Sequence, residues 1–321
     1  MNDEARRRRR EEARRRVYRR RRLVAAGVAG LVVVLLVAGG LLAFGGDGGG
    51  DSEAEAPPKP PSLPRGGRTI LPDFRVVAYY GAPQDDELGI LGIGPPRLAA
   101  RRLERQAKPY ARPRRPVLPA MELIAAIVTS EAGDGGDHSM RQDDSTIRRY
   151  LRVARAHRML LLLDIQPGYA PFLQEAKALE RWLKEPDVGL ALDPEWSMKP
   201  PLLPAQEIGS TDAATVNEVS RYLSDLVRRN DLPQKLLVVH RFTREMIENE
   251  DQLERTPGVG LVVNVDGFGD QPNKVSKYRE FTRDLRRRYN GFKLFYHEDL
   301  NLMSPKQVLR LRPQPDLVVY E

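Results

Sequence analysis

Eight short apolar runs recur through residues 70–321: Val76–Gly81, Glu122–Ser130, Met159–Ile165, Val188–Asp193, Lys235–His240, Val259–Asp266, Phe292–Tyr296 and Asp316–Tyr320. Most are continuous rather than alternating, which is the pattern of strands buried on both faces. Helical patterns lie between most of them. Arg97–Gln106 is one. Ser145–His157 opens on an Asp144-Ser145 cap, and Pro171–Lys184 has Pro at its first turn. Thr211–Arg229 carries Val216, Val219, Leu223, Leu226 and Val227 at helical spacing, Lys274–Tyr289 reads the same way, and Ser304-Pro305 starts a short final helix. Eight strand runs with helical patterns between most of them, in 252 residues, predict an α/β domain of the (β/α)8 barrel type. The alternative is a doubly wound open sheet. That fold normally carries a Gly-rich phosphate turn after its first strand, and none is found here.

Ahead of the barrel block the chain divides into three zones. Residues 1–22 hold twelve Arg against four acids, Asp3, Glu4, Glu11 and Glu12. Leu23–Gly46 has no charged residue over 24 positions. As a helix it would be about 36 Å long, enough to cross a hydrocarbon core of about 30 Å. The Arg cluster before it predicts a single-pass signal-anchor with a cytoplasmic N-terminus and an extracellular C-terminal domain. A cleaved signal peptide, ending near Ala43-Phe44-Gly45, is the alternative, and it exports the remainder too. Residues 47–69 are Gly, Pro, Ser and acids, the composition of a linker.

Charge decides one class of partner. The net charge of +8 comes from 52 Lys and Arg against 44 Asp and Glu. The Arg tail accounts for all of the excess, so the remaining residues are neutral and a nucleic-acid-binding face is not expected. Absence of Cys excludes disulfides, thiol catalysis and Cys-ligated zinc.

Barrels of this type place their active sites at the C-terminal ends of the strands. There the sequence puts Asp164 and Gln166 on the third strand, Asp193 and Glu195 on the fourth, and His240 on the fifth. The sixth ends in Asn264 and Asp266, the seventh in Tyr296 and Glu298, the eighth in Glu321. The side-chain period of two sets the members of each pair on one face, and Trp196 follows Glu195 as an aromatic that can stack on a sugar ring. Glu195 and Glu298 are the candidate catalytic pair. Glycoside hydrolysis needs a protonated carboxyl for the leaving oxygen and a second carboxylate as nucleophile or base. Asp164, Gln166, Asp193, Trp196, His240, Asn264, Asp266, Tyr296 and Glu321 are candidates for substrate binding. The four His form no HxH, HxxxH or HExxH spacing, and neither a metal nor another cofactor is expected.

The strand-four run Asp193-x-Glu195-Trp196 resembles the Asp-x-Glu of family-18 chitinases and family-25 lysozymes, in which Asp orients and Glu is the acid. Val188 and Ala191 stand where the fuller chitinase pattern has two further Asp. Barrel glycosidases with the acid Glu on strand four and the nucleophile Glu on strand seven are similar in plan. They usually show Asn before the first Glu, where this chain has Pro194. Through LLLDIQPG, DVGLALDPEWSM, KLLVVH, NVDGFG and GFKLFY, residues 74–321 resemble exported actinobacterial barrel proteins with a glycoside-hydrolase-like fold. That resemblance implies the fold and export, and brings no established activity. The expectation is a membrane-anchored hydrolase of cell-envelope or extracellular polysaccharide. The alternative is a non-catalytic barrel that binds cell-wall glycan or scaffolds a partner.

Overall fold

A computed structural model describes residues 60–133, 135–204, 206–283 and 288–321. The Arg tail and the expected membrane segment, residues 23–46, lie outside the described residues. Among those described, no helix is long and apolar enough to cross a membrane.

The eight runs form eight parallel strands: β1 Arg75–Gly81, β2 Val117–Val128, β3 Leu160–Ile165, β4 Val188–Leu192, β5 Lys235–Arg241, β6 Val259–Val265, β7 Tyr289–Leu294 and β8 Leu317–Tyr320. Each pairs with its neighbours in chain order. β1 pairs both with β2, from Arg75↔Val117 to Gly81↔Leu123, and with β8, from Val76↔Leu317 to Tyr79↔Tyr320. The sheet therefore closes on itself as a TIM-type barrel, and the open-sheet alternative is excluded. A short antiparallel strand, Ser139–Arg141, adds to the outer end of β2.

The continuous apolar runs follow from two-sided burial. Val76, Ala78, Leu118, Ala120, Leu160, Leu162, Ala191, Leu236, Val238, Val262, Leu317 and Val319 fill the barrel interior. Their alternates Val77, Leu161, Leu163, Leu190, Leu237, Val239, Leu261, Val263 and Val318 pack outward under the helices. Leu63, Ile70, Leu71 and Phe74 join the interior cluster from the N-terminal side. There the Gln234 side-chain carbonyl accepts from the Ile70 and Leu71 amides at 2.7 and 2.8 Å. The stretch before residue 70, read from composition as linker, thus supplies Leu63 to the core.

The helices are α1 Pro96–Ala107, α2 Asp144–Ala156, α3 Phe172–Ala178, α4 Glu180–Leu183, α5 Ala213–Arg229, α6 Gln271–Phe281 and α7 Pro305–Val308. Asp212 caps α5 through the Thr215 amide at 2.7 Å, and Asp270 caps α6 through the Asn273 amide at 2.9 Å. Caps of this kind stabilise a helix by about 1 kcal/mol.

Three sequence expectations change. The expected helix over Lys274–Tyr289 starts earlier, at its Asp270 cap, and ends at Phe281, while Tyr289 opens β7. The helix expected over Pro171–Lys184 divides at Leu179 into α3 and α4. Most importantly, strand–helix alternation fails between β5 and β6. That crossing holds a two-residue strand, Ile247–Glu248, and a 3-10 turn, Glu250–Gln252, with no α-helix. Asn249 stands between them at φ 52, a left-handed conformation that interrupts any helix.

Candidate functional site

Period two carries each strand's inward row to a polar residue, at the C-terminal end for most strands and mid-strand in β2. β1 presents Tyr80, β2 Glu122, β3 Asp164 and β5 His240; Asp193 follows β4 directly. β6 presents Asn264, with Asp266 one residue past its end. β7 presents Lys293, and Glu321 follows β8. All eight strands thus contribute to one layer that caps the apolar interior. Glu122, Asp164 and Asn264 have 0% exposure, His240 1%, and Asp193, Glu195 and Asp266 between 5% and 9%. Burial at this level obliges the polar groups to pair with one another.

His240 is the hub. Its Nε2 lies 3.0 Å from Glu122 Oε1 and its Nδ1 3.1 Å from Asp266 Oδ2. Asn264 approaches the same Nδ1 at 3.4 Å. The Asn264 carboxamide fits because its partner across β6–β7 is Gly291, where a Cβ would stand 2.3 Å from Asn264 Oδ1. Lys293 bridges the next gap, with Nζ 3.2 Å from Asp266 Oδ2 and 2.8 Å from Glu321 Oε2. The same ammonium lies 3.8 Å from the centre of the Tyr80 ring, a cation–π contact. Tyr80 donates to Asp164 Oδ2 at 3.1 Å and lies 3.4 Å from Asp193 Oδ2, while Gln166 donates to the Tyr80 oxygen at 3.2 Å.

This network sets the protonation states. For His240, burial and the Lys293 charge oppose protonation, but hydrogen bonds to Asp266 and Glu122 outweigh them and raise it well above the usual imidazole range. For Asp266, burial favours the neutral acid, and Lys293 and His240 overturn that and hold it well below the usual carboxylate range. Lys293 shows the same balance: burial lowers it, and Asp266 and Glu321 more than compensate. The other side of the ring behaves oppositely. Burial, reinforced by Glu122 and only partly opposed by His240, pushes Asp164 up to about 7. Burial and then the Glu195 charge push Asp193 well above the carboxylate range. Pairing thus favours the ionised forms of His240, Lys293 and Asp266, while burial favours the protonated forms of Asp164 and Asp193, a division of the kind that acid–base chemistry uses.

The structure brings Asp164, Gln166, Asp193, His240, Asn264, Asp266 and Glu321 into this layer. Glu195 and Trp196 sit beside it in a 3-10 turn, Pro194–Trp196. β4 ends at Leu192, so period two does not place Glu195; the Pro194 turn does. Tyr296 does not join the layer. Its ring stacks on Tyr320 at 5.4 Å and meets Tyr79 edge-on at 6.5 Å, in the outward core under α1, where Gln106 accepts its hydroxyl at 3.3 Å. Glu298 lies in the turn after β7, partly buried. That turn is pinned by Asp299, which accepts from the Phe295 amide at 3.0 Å and the Gly269 amide at 3.1 Å and pairs with Lys274 at 3.0 Å.

Sequence reasoning passed over Glu122 and Lys293 as site residues. Each is a polar residue within an apolar run, and counting inward positions in twos from the strand interior would have found Glu122 and Lys293. A cavity of about 300 Å³ lies at the opposite, N-terminal end of the barrel, lined by residues that include Gln234, Arg255, Arg288 and Tyr289. No carboxyl group lines it. The carboxyl layer, not that cavity, therefore has the groups for acid–base work. No protein-family model matches the chain, and no curated protein matches it.

Proposed function

We propose that the protein is a glycoside hydrolase that acts through the C-terminal mouth of its barrel on cell-envelope or extracellular polysaccharide. The observation that carries this reading is the buried Asp193–Glu195 pair at the end of β4, Asp193 in the charged layer and Glu195 in the turn beside it, with burial and the Glu195 charge pushing Asp193 above the usual carboxylate range. In the proposed step the proton that Asp193 holds toward Glu195 passes through Glu195 to the glycosidic oxygen as the C–O bond breaks, which leaves the charge on Asp193. Water adds at the anomeric carbon, and Glu298 serves as its base or as the nucleophile that precedes it. Asp193 donates a hydrogen bond to Glu195 or to the substrate. Asp164, Asp266 and His240 set the charge of the mouth, and Trp196 supplies an aromatic face. The uncharged Leu23–Gly46 segment supports an anchored, outward-facing location for the domain. The resemblance to exported actinobacterial barrel proteins agrees with the fold and with export.

A second reading, a non-catalytic glycan-binding or scaffold barrel, is favoured by how much of the layer is already internally paired. Lys293 engages two of its carboxylates, and His240 engages two. Release of reducing ends from purified cell-wall glycans, by the full chain and by Glu195→Gln, separates the two. Hydrolysis predicts turnover that falls by at least 100-fold in Glu195→Gln, within the range of general acid catalysis. Equal turnover removes Glu195 from the mechanism, and binding without turnover in the wild type favours the second reading.

A further inference from the structure

Three buried donors converge beneath the Asp193–Glu195 turn. His240 Nε2 lies 3.0 Å from Glu122 Oε1 and 3.9 Å from Asp164 Oδ1, and one donor atom from each residue falls within 4.8 Å of the other two. Donors held at about 2.0–2.2 Å around a tetrahedral zinc stand about 3.4 Å from one another. The two His240 distances bracket that spacing, so small rotations of the two carboxyls would complete it.

Two further observations point to a ligand. Glu122 Oε2 and Asp164 Oδ1 are buried without a hydrogen-bond partner, in side chains with 0% exposure. A buried carboxylate oxygen in that state is costly and calls for an occupant. The orientation of the imidazole is also specified from behind. Nδ1 faces Asp266 Oδ2 at 3.1 Å, the carboxylate–histidine arrangement that fixes the ring and aims Nε2 at a metal. The second Asp164 oxygen is likewise held, by the Tyr80 hydroxyl at 3.1 Å. Charge agrees. Among the described residues, Glu122, Asp164, Asp193, Glu195, Asp266 and Glu321 cluster here against His240, Lys293 and, beside Asp266, Lys274, so a divalent cation would offset an excess of carboxyl groups.

We propose that β2, β3 and β5 hold a divalent transition-metal ion of the zinc or manganese class through Glu122, Asp164 and His240 Nε2, with Asp266 orienting the imidazole. Two carboxylates and one imidazole suit these borderline ions better than the all-oxygen shells of calcium. Any proton on His240 Nε2 or on the Asp164 carboxyl leaves to solvent as the ion takes its place. The ligands come from three separate strands, which is why no short His motif announces them. The ion would tie three strands together at the mouth whether or not the protein cleaves glycans.

The test uses the full chain, stripped with a chelator and then dialysed with Zn²⁺ alone or Mn²⁺ alone, with bound metal counted by mass spectrometry. The expected result is about one ion per chain and a raised melting temperature for at least one of the two. Glu122→Gln, with its circular dichroism unchanged, should lose the bound ion, and Asp266→Asn should weaken affinity by about 10–100-fold. Should Glu122→Gln fail to fold, X-ray absorption on the wild-type zinc form decides. A shell of one imidazole nitrogen plus carboxylate oxygens at about 2.0–2.2 Å supports the site. A shell without imidazole overturns it. So does failure of both ions to bind the wild type, or binding that Glu122→Gln leaves unchanged, which would move the ion elsewhere on the chain.

Discussion

Lys293→Met removes the cation on which one half of the layer depends. Its ammonium lies 2.8 Å from Glu321 and 3.2 Å from Asp266, and its side chain is 4% exposed. Removing one partner of a buried ion pair typically costs about 3–5 kcal/mol, because the remaining charge stays desolvated. Asp266 keeps its contact with His240 at 3.1 Å, so part of its charge compensation survives the substitution. For a domain of this size each kcal/mol lowers the melting temperature by about 2–4 °C, which predicts a drop of roughly 6–20 °C. Differential scanning calorimetry of wild type, Lys293→Met, Glu321→Gln and the double variant measures it. The double variant should recover part of the loss, since Gln at 321 carries no charge to strand; the coupling should exceed about 1 kcal/mol. A Lys293→Met protein that melts within 2 °C of wild type would refute the reasoning. It would mean that water reaches Glu321 and Asp266 and that the layer is not desolvated.

Other expectations follow from the same structure. Lys235, at the start of β5, is 1% exposed and donates to the Glu185 and Val188 carbonyls; burial, opposed by Asp187 and Glu185, pulls it down to about 7. Unfolded lysine binds its proton up to about pH 10.4, so the unfolded state holds more protons between these values and stability rises with pH. Relative to Lys235→Met, wild type should gain up to about 1.4 kcal/mol per pH unit from pH 7 to 10 in urea unfolding; a constant gap would contradict this. Gly291→Ala forces a Cβ to 2.3 Å from Asn264 Oδ1 and should cost about 1–3 kcal/mol, which Asn264→Ala should relieve in the double variant. Tyr80→Phe removes hydrogen bonds to Asp164 and from Gln166 and should cost about 1–3 kcal/mol by thermal unfolding.

The strands were legible because two-sided burial writes itself as continuous apolar runs, and their number implied closure. The connection from β5 to β6 was not legible. The (β/α)8 plan implied a helix there although no helical pattern stood out between residues 241 and 258, and Asn249, at φ 52, interrupts any helix. At the site, acids and amides at the strand ends stood out, so Asp164, Asp193, Asn264 and Asp266 were found. Glu122 was hidden because β2 begins five residues earlier than its apolar run suggested, which leaves the glutamate mid-strand. Lys293 was hidden because the seventh run was read one position out of phase, with Tyr296 and Glu298 inward. The observed phase sends Leu294 and Tyr296 outward and Lys293 inward. A slip of one residue turns every side chain to the other face.

The central claim, that the C-terminal mouth receives the glycan, can be tested at one side chain. The chain has two Trp, and Trp182 packs against Arg181 on the outer helices, 4.5 Å from its guanidinium. Trp182→Phe therefore leaves Trp196, one residue from Glu195, as the sole indole reporter. Titration of this variant with cell-wall oligosaccharide should give a saturable change in Trp196 emission that Arg255→Ala, at the far end of the barrel, leaves intact. Oligosaccharide binding that calorimetry detects while Trp196 emission stays constant, or that Arg255→Ala abolishes, would contradict the account.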